Sequence, residues 1–142
     1  GLNKDEMKKK YGEDKIFMFR RSWDLPPGPI NENSPYHPIN IEVYKDIPRE
    51  FLPSTESLKD TYERVIKYYL KNIKNNLNKN VLVSAHGNSI RALCKYLFNI
   101  DEKTISKLEI PTGNPLLIKF KDNKVLQAKY LDNKRAKDLI KF

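Results

Sequence analysis

The chain reads Val-Leu-Val-Ser-Ala-His-Gly-Asn-Ser-Ile-Arg from Val81 to Arg91, and its architecture can be worked out from this segment. The run Val81–Ala85 is short, apolar and rich in valine, which predicts a buried strand. Residues Ser89–Phe98 repeat apolar side chains at helical spacing, which predicts an amphipathic helix. A buried strand that turns directly into such a helix is typical of an α/β fold.

The junction between these two elements is the strongest candidate for a functional site. His86 follows the strand at its carboxyl end, where open α/β sheets place their ligands. Gly87 allows a tight turn and a close approach of a ligand. The first amides of the next helix lack partners within it, and with the helix dipole they favour an anion. We therefore expect His86 beside a phosphate-sized anion site, although a histidine that only caps the helix fits the position equally well.

The other elements follow from periodicity, capping residues and turn residues. The clearest is a helix over Ser57–Asn78, in which apolar residues recur every three or four positions and Ser57 with Asp60 resembles a capping box. The remaining predictions are helices over Asn3–Tyr11, Glu13–Arg21, Asp101–Leu108 and from Asp132 onward, and a hairpin of strands Pro115–Phe120 and Val125–Tyr130.

The segment Ser22–Pro53 contains seven of the nine prolines, which predicts a long irregular loop. Such loops are functional lids or disordered linkers. We expect an ordered loop, because it offers these apolar and aromatic anchors: Trp23, Tyr36, Ile39, Ile41, Phe51 and Leu52. His37 lies next to a proline in this loop, and we expect it at the surface with no role.

Two adjacent arginines, Arg20 and Arg21, precede the loop and form a second candidate site. Guanidinium groups bind phosphate or carboxylate through paired hydrogen bonds. Neighbouring side chains on a helix point about 100° apart, so both reach one ligand only if the helix ends there. A solvated pair is the commoner arrangement, and Lys4 taken alone has the character of a surface lysine.

Composition indicates one modest domain and narrows the classes of function. The chain has 142 residues, a net charge of +9, two histidines and one cysteine. We expect neither a membrane-spanning segment nor a secretory signal, and a disulfide within the chain or a Cys/His zinc cluster is excluded. The charge favours anionic partners, although most lysines are scattered along the chain. Cys94 falls on the apolar face of its helix, so we expect a core residue rather than a reactive thiol.

Six blocks of sequence occur in an order that one family shares. They are Gly1–Lys4, Lys10–Gly12, Arg20–Asp24 with Pro26 and Pro27, Leu52–Ser54 with Glu56–Thr61, Val81–Arg91, and Ile110–Gly113. In this order they resemble the 2,3-bisphosphoglycerate-dependent phosphoglycerate mutases of the histidine phosphatase superfamily. The resemblance extends from Gly1 to about Leu131.

The resemblance implies an α/β fold: the C-terminal portion of a three-layer α/β/α arrangement with a mainly parallel sheet. Residues 1–142 would be a single domain that lacks its N-terminal part. The implied activity is the interconversion of 3- and 2-phosphoglycerate in glycolysis and gluconeogenesis, through a phosphohistidine primed by 2,3-bisphosphoglycerate and without a metal. The implied setting is the cytoplasm, with small phosphorylated metabolites as partners, no nucleic acid or membrane, and a dimer or tetramer as the complete protein.

The resemblance also implies roles for individual residues. His86 would be the second active-site histidine, which steadies the transferring phosphoryl group. Gly87 and Asn88 would line the phosphate site. The phosphate and carboxylate of the substrate would be bound by the basic residues Lys4, Arg20 and Arg21.

The sequence departs from the family pattern in what it lacks. No Arg-His-Gly motif, which would carry the phosphorylated histidine, occurs in the chain, and His37 does not match it. The acid-base glutamate of the family would fall before Gly1. We therefore expect this chain to begin within a longer protein and to be inactive alone. A related bisphosphoglycerate mutase or phosphatase would use the same pocket, and a non-catalytic basic binding module is the alternative from another class.

Overall fold

The computed structural model describes residues 3–136, and the chain divides after Asp60 into two compact units. The helices and strands of these residues are α1 Lys4–Tyr11, α2 Glu13–Arg21, α3 Leu58–Tyr68, α4 Gly87–Leu97, α5 Glu102–Ile105, β1 Leu116–Lys121 and β2 Lys124–Tyr130. None of the helices in this range has the length and apolar character needed to cross a bilayer.

The first unit begins with two short helices, and both were predicted. The Asn3 side chain accepts hydrogen bonds from the amides of Asp5 and Glu6 at 2.8 and 3.4 Å, which caps α1. Gly12 then adopts a φ of 86°, which a residue with a side chain rarely tolerates. This left-handed residue ends α1 and allows α2 to begin at Glu13.

The proline-rich loop of the first unit is ordered, as predicted. The Ile30 amide donates to the Ser54 carbonyl at 2.9 Å, and Arg49 forms a 2.7 Å ion pair with Glu32. Two of the expected anchors, Tyr36 and Phe51, are instead largely exposed. Three short 3₁₀ helices give the loop its local structure: Pro38–Asn40, Glu42–Tyr44 and Arg49–Phe51.

Helix α3 starts with the predicted capping box. The Asp60 amide donates to Ser57 Oγ at 3.1 Å, and the Asp60 carboxylate accepts from the Ser57 hydroxyl at 2.6 Å and from the Ser57 amide at 2.9 Å. These bonds hold the pKa of Asp60 below its ordinary value. Beyond Tyr68 the helix widens to a π-helical turn over Tyr69–Ile73 and tightens to a 3₁₀ turn over Lys74–Asn76, which the sequence did not predict.

The segment Val81–Ala85 does not form the predicted buried strand. It pairs with no strand of residues 3–136, and Leu82 is 92% exposed. A strand needs neighbours that satisfy its backbone donors and acceptors. The sheet of the described residues consists of β1 and β2 paired with each other, so no neighbour is offered there. These residues also contain no mainly parallel sheet of the kind expected for a three-layer fold.

Strands β1 and β2 form the predicted antiparallel hairpin. Asp122 and Asn123 make its two-residue turn with φ values of 50° and 60°. Turns with two positive φ values are favoured here because their twist matches that of the strands. A register shift between Lys119 and Phe120 marks a bulge in β1.

The core of the second unit includes residues of α4 and α5. Ala92, Cys94 and Ile105 are fully buried, and burial raises the pKa of the Cys94 thiol to about 12. Cys94 is therefore a core residue, as predicted. Asp101 caps α5 by accepting hydrogen bonds from two amides of its first turn, and the helix ends before the predicted Leu108.

Residues 131–136 form turns in place of the start of the predicted terminal helix. The Asp132 carboxylate accepts hydrogen bonds from the amides of Lys134 and Arg135 at 2.9 and 3.3 Å, which closes a turn instead of capping a helix. The rest of that predicted helix, residues 137–142, lies outside the described residues.

Candidate anion-binding site

The start of α4 depends on His86. The helix begins at Gly87, earlier than the predicted Ser89, and His86 is its N-cap in extended geometry with φ −63° and ψ 147°. The His86 Nδ1 accepts a hydrogen bond from the Asn88 amide at 3.2 Å. The structure therefore confirms that His86 caps the helix.

The cap determines which ring nitrogen of His86 is available to a ligand. A nitrogen that accepts a hydrogen bond carries no proton, so the proton of the neutral ring lies on Nε2. His86 is exposed, and its Nε2 bonds to no other described residue. The imidazole can therefore cap the helix through Nδ1 and donate to a ligand through Nε2 at the same time.

Two backbone amides in the first turn of α4 are available to bind an anion. The Asn88 amide is used by His86, and the Ile90 amide donates to the His86 carbonyl at 3.1 Å. The amides of Gly87 and Ser89 have no acceptor among residues 3–136. Together with the positive end of the helix dipole, these two donors favour an anion.

The reason for a glycine at position 87 differs from the one expected. Its φ lies outside the left-handed region, so the backbone turn does not require glycine. A Cβ at this position would meet only the Ile110 Cβ, at 3.9 Å, which is an ordinary contact. The tight-turn argument for Gly87 is therefore wrong, and what remains is the access that a missing side chain gives to its amide.

Asn88 is held from the interior by Arg91, the last residue of the block Val81–Arg91, for which no role was predicted. Arg91 Nη1 donates to Asn88 Oδ1, and Arg91 Nε donates to the Leu108 carbonyl at 2.9 Å. Only 6% of Arg91 is exposed. The signal in the sequence was a charged residue one helical turn after Asn88, on a helix whose neighbouring residues are mostly apolar.

The basic candidates lie in the first unit. Helix α2 ends at Arg21, which meets the condition under which neighbouring arginines can serve one ligand. Arg20 is exposed and forms no hydrogen bond or ion pair with another described residue, whereas Arg21 is half-buried. Lys4 is the first residue of α1, and its side chain lies outside what the structure describes. The structure thus groups His86 with its neighbours in one unit and the arginines in the other.

His37 is not the surface residue that the sequence predicted. It is 3% exposed, and its Nδ1 accepts a hydrogen bond from the Ile39 amide at 3.2 Å, which caps the first 3₁₀ turn of the loop. Its Nε2 is buried without a partner in the described part of the chain. The prediction failed because prolines on a folded loop do not keep the residues between them in solvent.

An apolar cleft of about 440 Å³ lies in the second unit, next to the segment that precedes His86. Its walls come from α3, the π-helical turn, α4 and residues 83–85, and include Tyr68, Ile90 and Leu93. The cleft therefore lies alongside the segment that was predicted to be a strand.

Residues 30–133 match the family model of the histidine phosphatase superfamily, branch 1. The chain belongs to this superfamily. Its membership places the chain in the α/β class, as predicted. The matched range contains His86, Gly87 and Asn88 and begins after the basic residues Lys4, Arg20 and Arg21.

Curated members of the superfamily match the chain along nearly all of its length. A protein of Pelagibacter ubique is 63% identical over 145 residues, which cover 100% of this chain and 61% of that protein. A protein of Maricaulis maris is 46% identical over 98% of the chain and 59% of its own length, and one of Borreliella afzelii is 50% identical over 92% and 54%. All three are named 2,3-bisphosphoglycerate-dependent phosphoglycerate mutase. The chain spans about three-fifths of the length of the first of these relatives.

Proposed function

We propose that this chain is the C-terminal portion of a 2,3-bisphosphoglycerate-dependent phosphoglycerate mutase, which interconverts 3- and 2-phosphoglycerate. The observation that carries the proposal is the 63% identity, over the whole chain, to a Pelagibacter ubique protein of that name. The donors at the start of α4 support it, because phosphoryl transfer depends mainly on positioning and charge neutralisation.

His86 is the catalytic residue of this proposal. Its Nε2–H donates to an oxygen of the transferring phosphoryl group, while its Nδ1 remains on the Asn88 amide and keeps the ring oriented. The amides of Gly87 and Ser89 and the side chain of Asn88 supply further donors. Substrate phosphate and carboxylate are bound by the basic residues Lys4, Arg20 and Arg21.

Each of the two units offers donors that suit the phosphates of a polyanionic primer. Arg20 is an exposed guanidinium with no partner among the described residues, and the first turn of α4 has two unoccupied amides. When bound, 2,3-bisphosphoglycerate supplies the phosphoryl group that primes a histidine outside this sequence. The proposal needs no metal, since the arginines, Lys4 and His86 contribute the positive charge.

A segment outside this sequence would contribute the phosphorylated histidine and the acid-base glutamate. It would also complete a three-layer α/β/α fold in which residues 1–142 are part of one domain. Two observations support this: Val81–Ala85 is an exposed apolar segment, and an apolar cleft lies beside it. Parallel strands placed on either side would satisfy its backbone and cover its side chains. The greater length of the relatives leaves room for such a segment.

The proposed setting of the enzyme is the one that the family resemblance implies. We propose a cytoplasmic glycolytic and gluconeogenic enzyme that acts on small phosphorylated metabolites, without nucleic acid or membrane as a partner, and that forms a dimer or tetramer as the complete protein.

The test is turnover of 3-phosphoglycerate by the complete protein, with and without 2,3-bisphosphoglycerate, in parallel with the chain 1–142 alone. The complete protein should show primer-dependent mutase activity that exceeds its synthase and phosphatase activities, and the chain alone should show none. Primer-dependent turnover by the chain alone would refute the proposal that the phosphorylated histidine lies outside this sequence. A phosphatase rate above the mutase rate would identify the related phosphatase instead.

A further inference from the structure

We propose that Arg91 is a positioning residue that orients the Asn88 carboxamide so that its NH₂ group faces the bound anion. Arg91 does not touch the ligand in this proposal. The role rests on the proposed function, because it refines the phosphate site at the start of α4.

The contacts of Arg91 connect the anion site to the core. Arg91 is almost completely buried and lies one turn after Asn88 on α4. Nη1 donates to Asn88 Oδ1, and Nε donates to the Leu108 carbonyl at 2.9 Å. Leu108 is itself buried, so the carbonyl that holds Arg91 belongs to a packed part of the second unit.

The chemistry of the two groups allows only one orientation of the carboxamide. A guanidinium has donors and no acceptor, so it can pair with the oxygen of Asn88 but not with its nitrogen. A flipped amide would place N–H groups against N–H groups within the buried contact. Arg91 therefore fixes Oδ1 toward the interior and leaves Nδ2, which has no partner in the described chain, as the donor presented to a ligand.

An asparagine without this contact would be free to rotate about both of its χ angles, and many of its orientations would not present the nitrogen to the anion. Its oxygen and nitrogen have nearly the same shape, and only the nitrogen attracts a phosphate. Arginine suits the task better than lysine, because its rigid fork serves two acceptors in different directions. The burial of the guanidinium is compatible with this role, since a buried charged group must be hydrogen-bonded to be tolerated.

The test uses inorganic phosphate as the probe and the complete protein as the receptor. Dissociation constants are measured by calorimetry for the wild type, Asn88→Ala, Arg91→Met and the double variant. Lys95→Met is the matched control. Lys95 is also a basic residue of α4, and its side chain also donates to a backbone carbonyl, the one of Ile100. Substrate KM and kcat are recorded for the same proteins.

Asn88→Ala should weaken phosphate binding about tenfold or more, as expected for a hydrogen bond to a charged group. Arg91→Met should weaken it by a large part of that factor, and the double variant should bind no more weakly than Asn88→Ala. Lys95→Met should bind like the wild type. Independent, multiplying effects in the double variant, or wild-type affinity of a folded Arg91→Met, would overturn the role of Arg91.

A second measurement covers the case in which Arg91→Met does not fold. In the wild type the Arg91 side-chain N–H resonances should be resolved and slow to exchange, and Asn88→Ala should broaden the Nη signals while leaving the Nε signal, whose acceptor is Leu108, in place. Unchanged Nη signals would show that the contact with Asn88 does not form. If the wild type binds phosphate and shows these N–H signals but has no mutase turnover, only the proposed function is wrong. If the wild type does not bind phosphate, both the proposed function and the role of Arg91 are wrong.

Discussion

His86 caps α4, and we propose that it also donates to the ligand; two substitutions separate these roles. The imidazole accepts a hydrogen bond from the Asn88 amide through Nδ1, and in the proposed function it donates to the phosphoryl group through Nε2–H. Asparagine carries its Oδ1 at the same number of bonds from the backbone as the Nδ1 of histidine, and it is among the best N-cap residues. His86→Asn therefore keeps the cap and removes the ligand donor, whereas His86→Ala removes both.

The expected magnitudes differ enough to be measured. Loss of an N-cap costs about 1 kcal/mol, so His86→Ala should lower the free energy of unfolding by about that amount, whereas His86→Asn should change it little. Loss of one donor to the charge of the transition state costs about 10²–10³ in kcat. Both variants should therefore lose turnover by a similar factor, although only His86→Ala loses stability.

The assay combines chemical denaturation with mutase turnover of the complete protein at saturating primer. Its decisive comparison is the kcat of His86→Asn with that of the wild type. If His86→Asn turns over at the wild-type rate while His86→Ala is destabilised, the imidazole is only a cap and its proposed catalytic role is wrong.

Three further predictions concern parts of the chain away from His86. Ser57→Ala should destabilise the protein by about 1 kcal/mol in urea denaturation, because it removes the N-cap of α3, while the control Ser54→Ala should not. The pKa of the Asp60 carboxylate is lowered in the folded protein. Its stabilising contribution is therefore complete above the ordinary aspartate pKa of about 3.9 and is lost as the pH falls through the lower pKa of the folded state. Asp60→Asn should reduce the acid dependence of the free energy of unfolding. Cys94, with a pKa of about 12, should resist alkylation at pH 8 in the native protein and react only after denaturation.

The features that the sequence predicted correctly are those set by neighbouring residues. The Asn3 cap, the Gly12 break and the capping box of Ser57 and Asp60 each involve partners within a few positions along the chain. The hairpin turn is equally local, because Asp122 and Asn123 tolerate the positive φ that it needs. Such contacts form from the same residues whatever the rest of the chain does.

The failed predictions depend on partners distant in sequence. The apolar run Val81–Ala85 is suited to a central strand, yet it can become one only beside other strands, and residues 3–136 supply none for it. The burial of His37 likewise depends on tertiary packing, as does the inward orientation of Arg91, for which nothing was predicted. Periodicity and composition report the preference of a segment but not the presence of its neighbour.

The hydrogen bonds of the candidate site explain why its geometry forms without a strand beside Val81–Ala85. His86 holds the Asn88 amide, Arg91 holds the Asn88 side chain, and Leu108 holds Arg91, so each group is fixed by the next. None of these bonds involves the backbone of Val81–Ala85. The geometry of the anion site is therefore set by α4 and its contact with Leu108, whereas the proposed missing strands would add the nucleophile and cover the exposed segment. Capping and the proposed catalysis by His86 are then not competing interpretations, because the cap fixes the ring through Nδ1 and leaves Nε2–H as the donor that the proposal requires.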